Sequence, residues 1–295
     1  MHRLKAHIET PGYFTTIQDE GRFEHLDIGI PIGGAMDREA MLKANLLVEN
    51  SEGTPVLEFT LKGPTIRFEG SGMIALSGAP FVAYLNGHAI DFYENMVVKD
   101  GDILEIKEVL AGCRGYMSIK GEWQIKQWLG SFSSPSIYLS KFGLDTHLKA
   151  GRFIEVQTDV LSEKLSVPVH KRPIFSDCTI IRTVTSPDFE MFDTDLIEEF
   201  YESVFTISSD SNRMGCRLNE SLASFSNQFE MLSTGIVPGT IQMTNSGRPL
   251  ILTADAQTTG GYPRIAHIIS EDLSLVGQLK PGSKVKFKLV GLESN

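Results

Sequence analysis

The sequence predicts a mostly-β protein of two β-rich subdomains with a few short helices, and three observations lead there. Short apolar or alternating runs recur along the chain, and 27 glycines and 13 prolines punctuate them. One polar, proline-containing stretch, residues 161–173 (LSEKLSVPVHKRP), breaks the composition near the middle. Many short strands with turn signals between them suit barrels and sandwiches rather than a βαβ array. The boundary is placed at 165, giving halves 1–165 and 166–295, with segments free to cross over and 161–173 as linker or crossing segment. A chain of 295 residues and 32.6 kDa is long enough to bury a full core.

In chain order, the first helix is expected over 37–50, where Ala40, Met41, Ala44, Leu47 and Val48 follow helical spacing behind Asp37 as N-cap. Strand signals follow at 66–68 and 73–76. Residues 81–90 alternate around Asn86-Gly87, a pair that tolerates the positive φ of a type I′ hairpin. Residues 96–106 read as strand, turn at Asp100-Gly101, strand. Further runs lie at 116–119, 153–156, 179–184, 204–207, 240–243, 250–254, 265–269 and 285–290. A second helix is expected between Asp188 and Ser203, with Asp195 and Glu198 as a capping box and Leu196, Ile197, Phe200 and Tyr201 as its apolar stripe.

Composition excludes several classes. Lys+Arg 27 against Asp+Glu 37 leaves a net charge of −10, and no basic run exists to meet nucleic acid or an anionic membrane. Hydrophobic residues at 41% and a mean hydropathy of −0.05 are those of an ordinary globular chain. No apolar stretch reaches the roughly 20 residues that span a bilayer, and the polar N-terminus carries no signal-peptide pattern, so the cytoplasm is the expected compartment. Cys113, Cys178 and Cys216 are odd in number and far apart, and the seven histidines show no ligand spacing, so no metal is expected. There is no G-x-x-x-x-G-K-[ST], no G-x-G-x-x-G and no G-x-S-x-G.

Three segments concentrate chemistry. Residues 16–22 (TIQDEGR) offer Gln18, Asp19 and Arg22 beside the glycines of 29–37, which lead into the first helix and free backbone N–H groups to face an anion. The purely structural alternative pairs Asp19 with Arg22 across a turn. In 211–217 (SNRMGCR), Arg213 and Arg217 are four apart and suit either a carboxylate or phosphate clamp or salt bridges across a loop. Residues 255–263 (DAQTTGGYP) place Asp255, Gln257, Thr258, Thr259, Gly260, Gly261 and Tyr262 in one loop, a set suited to a planar polar ligand. If that loop is buried, its donors need partners, which a ligand would supply. Gln257, Thr258 and Thr259 then line the pocket, Gly260-Gly261 let the backbone approach, and Tyr262 forms a wall.

These motifs in this order resemble the family called allophanate hydrolase subunit 2, also known as the KipI antagonist (KipA) and as the C subunit of 5-oxoprolinase. The sequence is similar as well to the first half of the urea carboxylase carboxyltransferase domain. The resemblance rests on T-I-Q-D-x-G-R, G-x-P-x-x-G-A-M-D, L-E-x-T-x-x-G-P at 57–64, Arg114-Gly115-Tyr116, and Gly130-Ser131-Phe132-Ser133. It continues through S-x-R-M-G-x-R-L at 211–218, G-x-I-Q at 239–242 and D-x-Q-T-T-G-G-Y-P at 255–263, so it runs over nearly the whole chain. Departures from the family pattern are Gly33 for Ser, Glu49 for Gly, Asn212 for Asp and Ala256 for Arg. The stretch 145–152 and the Ser186-Pro187-Asp188 segment are altered too.

The resemblance implies a cyclophilin-like barrel component. It also implies a KipI-like partner (the B subunit of 5-oxoprolinase) and an A subunit of the lactam-utilisation type, which together open 5-oxoproline to glutamate with ATP used by the complex. A small amide or ureido substrate then meets Asp255, Gln257, Thr258 and Thr259 as catalytic residues, and Gln18, Asp19, Arg22, Arg213, Arg217, Gly260, Gly261 and Tyr262 as binding residues. The alternatives it carries are a biotin-dependent carboxyltransferase half, whose carrier must come from another chain, and a non-catalytic regulator of a KipI-like protein.

Overall fold

The computed structural model describes residues 2–159, 163–226 and 231–291. Strands dominate, and the described residues hold three short α-helices: α1 (Arg38–Leu47), α2 (Thr194–Glu202) and α3 (Leu273–Gly277). The chain forms two compact units. One comprises Met1–Arg22 and Gly33–Ile174, the other Phe23–Ile32 and Phe175–Asn295. Of the stretch 161–173, residues 161 and 162 lie outside the described residues. The rest crosses alongside the strand Asn95–Val98, where Asn95 N–H donates to Leu165 O and Ser166 bridges Glu94.

The first unit contains two sheets. The larger has the strand order Glu122–Trp123, Phe153–Thr158, His2–Thr10, Thr65–Glu69, Ile103–Val109, Phe81–Leu85, His88–Ala89. The smaller runs Phe14–Gln18, Val56–Thr60, Arg114–Ile119, Gly72–Gly78, Asn95–Val98. Alternation on His2–Thr10 buries Leu4, Ala6 and Ile8 on one face, as the two-residue period of a strand requires. Every residue of Arg114–Ile119 and Gly72–Gly78 is buried. The two sheets meet through Phe59 and Phe81, whose rings lie 5.0 Å apart edge to face. Gly115 makes that approach feasible, because a Cβ there would stand 2.3 Å from the Phe59 ring.

Helix α1 covers the other face of the smaller sheet, packing Ala40, Met41 and Ala44 against Val56 and Tyr116. Asp37 caps it, accepting from the Ala40 N–H at 2.9 Å. Its other end is a Schellman closure: Asn50 N–H donates to Asn45 O and Glu49 N–H to Leu46 O. Glu49 therefore has φ +54, the left-handed conformation that favours glycine. Beneath the helix start, buried Glu58 accepts from Met36 N–H and from the Tyr116 hydroxyl, which itself accepts from Asp37 N–H, all at 2.8 Å. Burial, reinforced by the Glu58 charge, pushes the Tyr116 phenol well above its ordinary value, so it stays a donor.

The second unit contains a two-stranded ladder, Thr234–Gly235 with Thr259–Gly260, and a seven-stranded sheet: Phe205–Thr206, Lys284–Leu289, Cys178–Thr185, Arg264–Ile268, Thr240–Met243, Pro249–Leu252, Gly215–Arg217. Its outer strands meet. Ile207 bridges Leu218, Ser208 N–H donates to Arg217 O and Asn219 N–H to Thr206 O, so the sheet closes on itself as a barrel. Leu196 and Phe200 of α2 are buried in its core, with Phe200 stacked 4.8 Å from Phe287. No helix among the described residues is long and apolar enough to cross a membrane.

Two local expectations are corrected. The Asp195–Glu198 capping box does not form, because α2 starts two residues earlier, at Thr194, with Asp193 in the cap position and Asp195 inside the first turn. Residues 96–106 do give two strands, but these lie in different sheets, so the Asp100-Gly101 turn carries the chain from one layer to the other. The Asn86-Gly87 hairpin has the expected form, with φ of 53° and 76°.

Three stability measurements follow from this packing. Tyr116→Phe, which removes a donor from buried Glu58 and the acceptor of the Asp37 amide, should lower stability by about 1–3 kcal/mol in denaturant melts. Glu49→Gly should raise it by about 1 kcal/mol, since only the left-handed penalty and an exposed, 3.4 Å contact to Lys120 are lost. The third concerns acid. The Arg264 guanidinium holds the Asp188 carboxyl below its usual 3.8, and burial pushes His267 below its usual 6.5. In both cases the unfolded chain takes up protons that the folded chain refuses, so stability falls as pH falls. The loss begins below about 6.5 for His267 and continues below about 3.8 for Asp188. Asp188→Asn should flatten only the lower stage, measured as Tm against pH.

Candidate functional site

In the second unit's sheet Gly215–Arg217 pairs with Pro249–Leu252, and the turn 244–248 joins the latter in a hairpin with Thr240–Met243. A cleft of about 520 Å³ opens there. Arg217, Leu218, Ser208 and Asp210 line it from the closing strands and their loop, Arg248 and Leu250 from the hairpin, and Gln257 and Tyr262 from the 255–263 loop. That volume suits a small ligand.

The two motif loops are tied together by a buried ion pair. Arg213 Nε donates to Asp255 Oδ2 at 3.1 Å and Nη2 to Oδ1 at 2.9 Å, with both residues buried. Asp255 N–H donates to Arg213 O, and the Thr253 hydroxyl donates to the same carbonyl at 2.6 Å. Arg213 and Arg217 are therefore not one clamp. Arg213 faces Asp255 inside the protein, whereas Arg217 is exposed on the cleft. The arginine that shares the cleft with Arg217 is Arg248, which has no motif around it in the sequence. Only the strand register, Arg217 opposite Leu250, reveals that it lies two positions away on the same face.

The 255–263 loop is more open than its composition suggests. Gln257 and Thr259 are exposed and Thr258 half-buried. Gln257 and Tyr262 line the cleft, while Thr258 and Thr259 hold the loop by backbone bonds: Ile236 N–H donates to Thr258 O, and Thr259 pairs with Gly235 in a two-strand ladder. The glycine pair is not needed for left-handed backbone, since neither residue has positive φ. Gly260 is closely packed, since a Cβ would lie 2.8 Å from the Ile236 Cδ1 and 2.9 Å from the Gln242 Nε2, and both side-chain ends would have to shift to admit it.

In the first unit, Asp19 gathers a loop around itself. Its carboxylate accepts from Gly21 N–H, Phe132 N–H and the Ser131 and Ser133 hydroxyls at 2.5–2.9 Å. Arg22 donates to Ser133 O and stacks 4.7 Å over Trp128. Both side chains thus fix the Trp128–Ser131 turn, whose middle residues Leu129 and Gly130 have φ of 50° and 75°. Gln18 is buried, with its amide nitrogen on the Thr16 hydroxyl and its oxygen without a hydrogen-bond partner. Beside this turn lies a second cavity, of about 750 Å³, lined among others by Ile125, Trp128, Phe132, His147 and Arg152.

The departures from the family pattern have local accounts. Asn212 Oδ1 accepts from Met214 N–H at 2.7 Å, a turn bond that Asp would also make. Ala256 is buried with Ile236, Leu250 and Leu252. Gly33 has φ +69, which suits glycine. Among the described residues no group of three or more His, Cys, Asp or Glu stands ready to hold a metal.

Residues 28–289 match the family described as carboxyltransferase domain, subdomain A and B. The chain is similar to the C subunit of 5-oxoprolinase from Escherichia coli K12, at 35% identity over 283 residues, covering 96% of this chain and 90% of that protein. It is similar to urea amidolyase of Saccharomyces cerevisiae at 31% identity, covering 98% of this chain but 17% of that protein. The solved structure of K. lactis urea amidolyase is 28% identical with a TM-score of 0.87, over 97% of this chain and 19% of that one. The chain thus spans less than a fifth of those urea amidolyases, and nearly all of the bacterial protein. The protein belongs to the carboxyltransferase-domain family of subdomains A and B.

Proposed function

We propose that the protein is the C subunit of an ATP-dependent 5-oxoprolinase, working with a KipI-like B subunit and an A subunit of the lactam-utilisation type. The observation that carries this reading is the end-to-end correspondence with the 5-oxoprolinase component of Escherichia coli, 90% of which this chain covers. Opening the lactam adds water to the ring carbonyl carbon and breaks the C–N bond, with the nitrogen leaving as an amine. Negative charge grows on the carbonyl oxygen on the way, and fixed donors around it lower the barrier. In the cleft of the second unit, the Gln257 amide is a donor of that kind, and Tyr262 supplies a flat wall. ATP is used through the assembled complex, which is the active species, and the sequence carries no G-x-x-x-x-G-K-[ST] phosphate loop.

A second reading is favoured by the family description and the urea amidolyase likeness: a carboxyltransferase half that meets a ureido substrate or biotin. Ile125, Trp128 and Phe132 would give a ureido ring an apolar wall in the first unit's cavity. No A-M-K-M segment is present in these 295 residues, so the carrier would lie outside them.

Reconstitution decides between them. With both partner subunits, 5-oxoproline-dependent ATP hydrolysis should appear and should vanish when this protein is omitted. Activity unchanged by the omission would refute the first reading, and heat on titrating biotin or urea into the chain would favour the second. Gln257→Ala should lower complex activity at least tenfold while leaving Tm within a few degrees, since the side chain is exposed.

A further inference from the structure

The second unit's cleft gathers cationic side chains on a strongly acidic chain. The chain carries ten more acidic than basic side chains, yet two guanidinium groups, Arg217 and Arg248, line one cleft together. Among the described residues no carboxylate is paired with either of them. This differs from the other motif arginines: Arg213 is bound to Asp255, and Arg22 donates to Ser133 O.

Both arginines are held at the backbone, and among the described residues no ion pair reaches either guanidinium. Arg217 N–H donates to the Ser211 hydroxyl at 3.0 Å and its carbonyl accepts from Ser208 N–H at 2.8 Å. The Arg248 carbonyl accepts from both the N–H and the hydroxyl of Thr244, the latter at 2.8 Å. Since Arg217 stands opposite Leu250, Arg248 is its diagonal neighbour, and such pairs have Cα atoms roughly 7–8 Å apart. Two long side chains rising at that spacing from one face, with Leu250 between them as floor, can converge on the two oxygens of one planar anion. Asp210 lines the same cleft, so the site carries one net positive charge and disfavours a polyanion.

We propose that this cleft binds the carboxylate of a small amide-bearing monoacid between Arg217 and Arg248, with Asp210 placed to accept from the amide N–H. The proposal rests on the 5-oxoprolinase reading for the identity of the acid, 5-oxoproline, and deepens it. A monoanionic lactam matches the charge, whereas neutral urea leaves both guanidinium groups unused.

Calorimetry on the full chain tests it with 5-oxoproline, with 2-pyrrolidinone (the same ring lacking the carboxylate) and with N-acetylglycine (an open-chain amide monoacid). The expected result is at least tenfold tighter binding of 5-oxoproline than of 2-pyrrolidinone. R217Q/R248Q should abolish that preference without moving Tm, and in the reconstituted complex should raise KM more than it lowers kcat. Equal binding of the two rings by the unaltered chain, or a preference that survives R217Q/R248Q, would overturn the site while leaving the 5-oxoprolinase reading intact. If the complex shows no 5-oxoproline-dependent ATP hydrolysis, that reading falls and N-acetylglycine judges the cleft. Arginine-dependent binding of it supports the carboxylate site, and its absence overturns it.

Discussion

The buried Arg213–Asp255 pair is the constraint on which the cleft of the second unit depends. Taking two charges out of water is costly, and the bidentate geometry with the adjoining backbone bonds offsets that cost. Removing one partner would strand the other, a loss of about 3–5 kcal/mol in comparable pairs. The consequence is positional. One pair fixes the loop that leads into Gly215–Arg217 and the loop that carries Gln257 and Tyr262, so the two walls of the cleft keep a set separation. The closing bridge between Ile207 and Leu218 then anchors the first of those walls to the barrel.

A similar division of labour holds in the first unit. Asp19 reads as a ligand-binding carboxylate when its motif is taken alone, but four donors converge on it and all come from its own turn and the 131–133 loop. A carboxylate so surrounded sets the shape of a turn and presents little to a ligand. Glu58 does the same under α1, where Met36 N–H and the Tyr116 hydroxyl hold the helix start against the sheet and the Arg114 guanidinium lies 3.7 Å from its carboxylate. In both units the acidic groups of the motifs, Asp19 and Asp255, act as internal fasteners and do not line the clefts.

What was legible in the sequence follows from range. The Asn86-Gly87 turn, the Asp37 cap and the apolar stripe of α2 are local signals, written within a few residues, and each could be read directly. The strands His2–Thr10 and Val56–Thr60 were not singled out. In the first, charged residues separate Leu4, Ala6 and Ile8, and Ala6 is too small to mark the alternation. In the second, buried Glu58 interrupts what is a fully covered strand, because its partners lie far away in sequence. The site shows the same limit. The 255–263 loop announced itself by composition, but the pairing of Arg213 with Asp255 rather than with Arg217, and the arrival of Arg248 beside Arg217, are set by strand register. No spacing along the chain encodes either.

The altered motif positions take their meaning from this geometry. The family pattern has Asp where Asn212 stands and Arg where Ala256 stands. Asn212 retains the turn bond to Met214 N–H, so the backbone entering the cleft wall needs no carboxylate there. Ala256 lies buried among Ile236, Leu250 and Leu252, and Leu250 is also the cleft floor between the two arginines. An arginine at 256 would have to carry its charge out of that apolar cluster, as long basic side chains do along apolar surface. Replacing Asp and Arg together removes one charge of each sign, so the net charge of the two loops is unchanged. The fold of the wall is kept as well, and the cationic character of the cleft now resides in Arg217 and Arg248.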